Sequence, residues 1–162
     1  MSVEIFLKID GVPGESKAKG HEKEIEVFSF SNGASNPSSV ATGGGSGAGK
    51  VDLSSLSIQK QVDQASAKLF LQCCVGKHFD KATLTVREAS GDTPLEYWIY
   101  EMKQVFIDSV SWGGASGGGK PSESVSMSFA SIKITYWSQD EKGAKNEKSE
   151  GGWDVKTNAA AA

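Results

Sequence analysis

The stretch SVSMSFASIKITYW, residues 124–137, decides the fold class of this chain. Its apolar side chains stand at every second position, and the alternation changes phase once, near Ala130. A period of two places alternate side chains on opposite faces of a β-strand, and a one-residue change of phase is what a β-bulge produces. The stretch therefore predicts a long, bulged strand whose core face carries Val125, Met127, Phe129, Ile132, Ile134 and Tyr136.

The same period of two recurs along most of the chain. It is found in residues 3–10, 24–32, 51–62 and 82–87, and residues 95–107 are rich in the aromatic and β-branched residues typical of strands. The segment 24–32 also changes phase, and its second half predicts Phe28 and Phe30 on the core face with Ser29 and Ser31 facing out. Two C-terminal segments differ from these: the charged residues 139–150 indicate a solvated loop, and residues 151–157 indicate a short last strand.

One segment has helical spacing. Apolar side chains recur every three to four residues and form a single stripe, made of Ala65, Leu69, Phe70 and Cys73. Asp63 can cap the start of this helix, and Gly76 suits its end. The spacing predicts a helix of about three turns.

Long bulged strands, one short helix and no regular alternation of strand with helix indicate a mainly β fold, either an antiparallel closed barrel or a sandwich. We expect one domain over residues 1–158. The alanine run at residues 159–162 is expected to be a tail without a structural role.

Composition excludes several function classes. The chain has 17 basic and 20 acidic side chains, hence a net charge of −3, and no basic stripe, which argues against nucleic-acid binding. No stretch is apolar enough to cross a membrane, and Glu4, Lys8 and Asp10 interrupt any signal-peptide core. The two cysteines, Cys73 and Cys74, are adjacent, so we expect no disulfide and a reducing compartment.

The segment from Gly44 to Lys50 matches the start of a phosphate-binding loop, G-x-x-x-x-G-K. However, Val51 follows in place of the serine or threonine that would hold Mg²⁺, and the next residues alternate like a strand rather than open a helix. The pattern also recurs at residues 114–120, as expected by chance in a chain with 19 glycines. We therefore expect a flexible loop and no nucleotide.

Catalytic chemistry finds little support. His21 and His78 are the only histidines, and His21 lies in a polar segment where we expect it to be solvated. No nucleophile elbow accompanies them. We therefore predict no catalytic residue, no metal and no cofactor. Trp98, Trp112, Trp137 and Trp153 leave a second hypothesis open, a monomeric lectin-like β-domain with an aromatic binding face.

Two glycine-rich segments, residues 43–49 and 113–119, are long for the loops of a compact domain. Glycine allows the backbone to approach another chain closely, so we expect the first segment to reach a neighbouring subunit. The candidate contact residues are Gly43, Gly44, Gly45, Ser46, Gly47, Gly49 and Lys50.

Taken in order, the chain resembles the Hcp family, the tube proteins of type VI secretion systems. The resemblance rests on short pieces spread over almost the whole length, which are VEIFLKIDGV (3–12), GES (14–16), EIEV (24–27), GGGSGAGKV (43–51), KQVD (60–63), GKH (76–78), ATLTVR (82–87), SMSFA (126–130) and GWDV (152–155).

The resemblance implies a β-barrel of two sheets with one short α-helix. It implies hexameric rings that stack into a tube, surrounded by a contractile sheath and tipped by a spike protein. Such a tube carries effectors in its lumen and is itself secreted. The subunit is then cytoplasmic before firing and leaves the cell without a signal peptide. In this family the strand with Ser29 and Ser31 lines the lumen, so both residues become lumen candidates.

Overall fold

The computed structural model describes residues 2–37, 50–89 and 93–161. These residues form one helix and eleven strands. They are β1 (Val3–Ile9), β2 (Ile25–Val27), β3 (Ser29–Ser31), β4 (Ala34–Ser35), β5 (Asp52–Leu53), β6 (Leu56–Gln61), α1 (Ser66–Val75), β7 (Phe79–Glu88), β8 (Leu95–Gly113), β9 (Ser122–Gln139), β10 (Lys145–Asp154) and β11 (Ala159–Ala160). The prediction of a mainly β protein with one short helix is confirmed.

Nine strands form one antiparallel sheet. Its main order is β11-β10-β9-β8-β7-β1-β2, while β6 pairs with both β9 and β3, and β4 and β5 form a separate pair. The ladders of the described residues do not close this sheet, so the closed barrel is not confirmed. The interruption falls at Phe28, between β2, which pairs with β1, and β3, which pairs with β6.

The change of partner explains the change of phase in residues 24–32. Ile25 and Val27 are buried, but Phe28 is 61% exposed, so its prediction as a core residue is wrong. Phe28 lies between the two ladders, where its N–H donates to the carbonyl of Gln59 at 2.8 Å. Phe30 is half-buried and packs edge-on against Tyr100, with 5.7 Å between ring centroids. A phase change in this strand therefore marks the transfer of the chain from one neighbour to another.

Strand β9 behaves in the same way. One edge pairs with β8 along most of its length, while the other edge pairs with β6 at residues 122–127 and with β10 at residues 131–139. The predicted phase change near Ala130 falls between these two partners. The strand predicted from residues 124–137 is therefore confirmed, but the predicted bulge near Ala130 is wrong. The ladder with β8 keeps one register from Met102–Ile132 to Ile107–Met127, so the phase change marks the change of partner on the other edge.

Helix α1 begins later than predicted. Asp63 precedes the helix by three residues, and its carboxylate accepts a hydrogen bond from the Ala65 N–H at 2.9 Å. Gly76 ends the helix in the left-handed region at φ 74°, as predicted. The apolar stripe is only partly right, because Leu69 is fully buried but Phe70 is 47% exposed.

The C-terminal part corrects two predictions. Residues 145–150, predicted as part of a solvated loop, belong to strand β10, whose end at 151–154 confirms part of the strand predicted at 151–157, and Ala159–Ala160 pair with it as β11. Most side chains of β10 are exposed, because the strand lies near the edge of the sheet. Its sequence is therefore mostly polar and shows no apolar alternation. Ammonium groups of Lys133 and Lys148, each 3.1 Å from the Glu150 carboxylate, lower the pKa of that group.

The segment before β2 is packed rather than solvated. His21 is 6% exposed and stacks on Phe6 with 4.5 Å between ring centroids, so its prediction as a solvated residue is wrong. Its two ring nitrogens lie 2.8 Å from the Glu24 carboxylate and 2.7 Å from the Glu96 carboxylate. Polar neighbours in sequence concealed this burial, because the stacking partner belongs to β1 and the second carboxylate to β8.

The core lies on one face of the large sheet, with α1 against β8. Cys73 is half-buried against this core and Cys74 is exposed. The helix has 10 residues, and no helix in the described part of the chain is long and apolar enough to cross a membrane.

Candidate functional site

Two rows of small polar side chains cross the outer surface of four neighbouring strands, β3, β6, β9 and β8. Strand pairing aligns Ser31, Ser57, Ser126 and Ser109 in the first row. It aligns Ser29, Gln59, Ser124 and Ser111 in the second. We call these eight residues the serine face, and none of them carries a charge, although 23% of the chain is charged.

Strand alternation positions this face. The residues between the serines point the other way and belong to the core, as Ile58 and Val125 show with exposures of 0% and 1%. Burying these apolar neighbours therefore forces the intervening serines outward. Five members of the face are exposed and the other three, Ser57, Ser124 and Ser126, are half-buried.

Two hydrogen bonds join side chains of the serine face. The Ser57 and Ser126 hydroxyl oxygens are 3.3 Å apart, and the Ser124 hydroxyl donates to the Gln59 side-chain carbonyl at 2.7 Å. These contacts run across the strands and satisfy part of the hydrogen-bonding capacity of the surface. The result is a flat, uncharged wall of short side chains.

One carboxylate stands beside this wall. The β8–β9 register shifts between Ile107 and Ser109, which leaves Asp108 as the extra residue of a bulge. The Asp108 carboxylate accepts hydrogen bonds from the Ser128 hydroxyl at 2.9 Å and from the Ser55 hydroxyl at 3.1 Å. Since Asp108 is exposed, its charge remains accessible at the end of the first row.

A buried ion pair holds the opposite end of the face. The Lys60 ammonium lies 2.6 Å from the Glu123 carboxylate, and both side chains have 0% exposure. The same ammonium lies 3.0 Å from Asp63 and 3.2 Å from the Ser66 hydroxyl, at the start of α1. The network therefore ties β6 and β9 to the helix. The alternation that places Lys60 with Leu56 and Ile58 was the sequence signal for its burial.

The structure places both predicted lumen candidates, Ser29 and Ser31, on the serine face, where each is exposed. The sequence prediction missed the other six members. A signal for some of them was present, because serines occupy alternate positions at 122–128 and at 109 and 111. What the sequence lacked was the register that aligns these serines with β3.

Of the predicted contact loop, only Lys50 is described, and it is exposed. It lines a shallow hollow together with Asp52, Ser55 and Ser128. Gly43, Gly44, Gly45, Ser46, Gly47 and Gly49 lie outside the described residues, so their contact role stays a prediction. The second glycine segment, 113–119, belongs to the hairpin connection between β8 and β9, not to the start of a helix.

The tryptophans do not share one face. Trp98 and Trp153 line the same apolar hollow, whereas Trp112 packs edge-on against Phe70 at 5.7 Å between ring centroids. Trp137 instead lies beside the ammonium groups of two lysines, at 5.0 and 5.8 Å. In the described part of the chain, no group of three or more His, Cys, Asp or Glu residues could hold a metal ion.

Comparison with known proteins gives a consistent result. The family model described as "Type VI secretion system effector, Hcp" matches residues 6–136. The protein hcp1 of Pseudomonas aeruginosa is 41% identical over 162 residues, covering 99% of this chain and 100% of its own length.

Solved structures of type VI secretion proteins have the same fold as this chain. A structure titled as a type six secretion system protein has a TM-score of 0.92 at 31% identity, covering 99% of this chain and 100% of that one. The crystal structure of Hcp1 from Salmonella typhimurium has a TM-score of 0.81 at 34% identity, with the same coverage.

Proposed function

The chain belongs to the Hcp family of type VI secretion proteins, and on this premise we propose that it is a structural subunit of the secretion tube. In this proposal six copies form a closed ring, and rings stack into a tube whose lumen carries effectors. The partners are then other copies of this chain, a spike protein, a contractile sheath and the secreted effectors. The subunit is cytoplasmic before firing and leaves the cell with its cargo.

The observation that carries the proposal is the serine face. A surface of eight uncharged side chains across four strands offers little to bind one ligand tightly, because a neutral hydrogen bond exchanged with water contributes only about 1 kcal/mol. Such a surface suits a channel wall that passes varied proteins, so we place Ser29 and Ser31 in the lumen.

Ring formation requires each subunit to present two different patches that meet head to tail. The described residues offer two separated apolar patches at the surface. Phe70 and Trp112 are exposed on the helix side, and Tyr136 is exposed beside the half-buried Trp98 and Trp153 on the side of β10. Exposed apolar side chains of this kind are typical of contact surfaces. The proposal therefore does not depend on the serine face for assembly.

The first test is the mass of the particle in solution. Size-exclusion chromatography with light scattering is expected to give six times the 17.1 kDa mass of one chain. A monomer at micromolar concentration would contradict the ring and would favour a monomeric, lectin-like domain, whose binding could then be examined with oligosaccharides.

A substitution on the wall tests the lumen assignment. Ser31→Tyr is expected to leave the fold and the hexamer intact but to change effector retention, since its side chain is exposed and repeated in every subunit of the ring. A difference of only about 1 kcal/mol changes retention roughly fivefold. Ring mass and effector pull-down are the measurements.

The matched control is Ser116→Tyr, which adds the same ring to an exposed serine in the β8–β9 connection. It is expected to retain effectors as the wild type does. If Ser31→Tyr instead dissolves the ring, Ser31 belongs to a subunit contact, and the lumen assignment is wrong.

A further inference from the structure

We propose that Asp108 selects cargo on this surface by pairing with a lysine or arginine side chain of the protein being carried. The proposal rests on the proposed function, because it takes the serine face as the surface that meets cargo. It goes beyond that function by naming the charge that a favoured cargo segment presents.

The bulge in β8 gives Asp108 its position. In an unbroken ladder each residue of β8 would face a partner on β9, but Asp108 falls between the pairs Ile107–Met127 and Ser109–Ser126. Its carboxylate lies next to Ser128, which continues the column of Ser124 and Ser126 along β9. The carboxylate is therefore on the same side of the sheet as the serine face.

Two hydroxyls hold the carboxylate without neutralising it. Ser128 donates to one oxygen and Ser55 donates to the other. An ionised carboxylate has about four acceptor positions, so roughly two remain for a ligand. Because donors from β9 and from the segment before β6 fix its orientation, little side-chain entropy is lost when a cation pairs with it.

The surroundings of Asp108 allow its charge to distinguish basic from acidic cargo segments. The two rows of the serine face contain no competing acid or base, and the charged groups nearest in the adjoining hollow are Lys50 and Asp52, one of each sign. An arginine can meet a carboxylate with two parallel hydrogen bonds, whereas an acidic segment would be repelled. Charge complementarity therefore favours a basic cargo segment over an acidic one.

In a hexameric ring the carboxylate occurs once per subunit around a single channel. Several weak pairs with one basic segment then act together, and their combined strength exceeds that of one exposed pair, which contributes only about 0.2–1 kcal/mol. The binding is also sensitive to salt, because the Debye length falls from about 8 Å at 0.15 M to about 3 Å at 1 M.

The experiment measures fluorescence anisotropy of a labelled octa-arginine peptide with the purified full-length protein, next to a labelled octa-glutamate peptide. Asp108→Asn is expected to weaken octa-arginine binding by about fivefold or more, and about 1 M salt is expected to remove the wild-type binding. The control is Glu147→Gln, which removes the same charge from an exposed residue of β10 and is expected to bind as the wild type does.

Equal octa-arginine affinity in wild type and Asp108→Asn overturns the proposal, as does an equal loss in Glu147→Gln. If Asp108→Asn does not fold, Asp108→Ser replaces it, and Asp108→Glu, which keeps the charge, is expected to keep binding.

Light scattering on the same samples separates this proposal from the proposed function. If the protein is a hexamer and binds octa-arginine equally well with and without Asp108, only the cargo proposal is wrong. If the protein is a monomer and its octa-arginine binding still depends on Asp108, only the proposal of a ring is wrong.

Discussion

Replacing Lys60 with methionine is expected to lower the free energy of unfolding by about 3–5 kcal/mol, the usual cost of breaking a buried ion pair. The Lys60 ammonium is the cation beside the Glu123 carboxylate, and both side chains have 0% exposure. Without it, the buried Glu123 carboxyl group has lost its counter-ion and retains the hydrogen bond from the Ser66 hydroxyl. One Glu123 oxygen, Oε1, already lacks a hydrogen-bond partner among the described residues.

Denaturant unfolding followed by tryptophan fluorescence measures this loss. The slope of the free energy of unfolding against denaturant concentration should be unchanged, which shows that the denatured state is unaltered. The matched control is the double variant Lys60→Met with Glu123→Leu. Removing both fully buried charges leaves only Asp63 without the ammonium, and this carboxylate is partly exposed and still accepts the Ala65 N–H, so the double variant is expected to recover most of the stability. A single variant as stable as the wild type would show that the pair is not buried as described.

Replacing Gly14 with alanine is the second change with a large expected effect. A Cβ atom at this position would lie 2.3 Å from the carbonyl oxygen of Glu24 and 2.6 Å from the Cα of Ile25. Both are backbone atoms, which cannot relieve the clash by changing a side-chain rotamer. The backbone at Glu24 and Ile25 must therefore move away from the new Cβ atom. Overpacking of this kind costs typically about 1–3 kcal/mol.

This displacement is expected to have a local consequence that hydrogen exchange can follow. The Gly14 N–H donates to the carbonyl of Lys23 at 2.7 Å, and the Ser16 N–H donates to the carbonyl of Glu24 at 3.0 Å. Both amides are expected to lose protection in Gly14→Ala, and His21 is expected to become accessible. Gly119→Ala is the control, since its Cβ would meet nothing within 4 Å and no protection should change. Unchanged exchange in Gly14→Ala would contradict the close approach.

The sequence predictions were most successful where the signal is local. The alternation in residues 124–137 predicted β9 and its buried Val125, Met127, Phe129 and Ile132, because side-chain direction in a strand depends only on position along that strand. The prediction of Tyr136 on the core face is wrong, since Tyr136 is 44% exposed. Gly76 was predicted to end α1 for an equally local reason, since glycine adopts φ 74° without a steric penalty.

Predictions failed where burial depends on a distant partner. His21 appeared solvated because its sequence neighbours are polar, yet Phe6 and Glu96 cover it from β1 and β8. Residues 145–150 appeared to be a loop because their side chains are charged, yet their backbone pairs with β9. Backbone hydrogen bonds do not require apolar side chains, so an exposed edge strand has no clear hydrophobic pattern.

The sequence by itself determined the strand class, the positions of the phase changes and the outward direction of Ser29 and Ser31. Only the tertiary structure decided that β2 and β3 pair with different strands, that Lys60 meets Glu123, and that the serines of β3, β6, β9 and β8 fall into two rows. The physical reason is that alternation is set within one strand, whereas register is set between strands. Residues as distant as Ser31 and Ser109 are brought into one surface only by the ladders that join them.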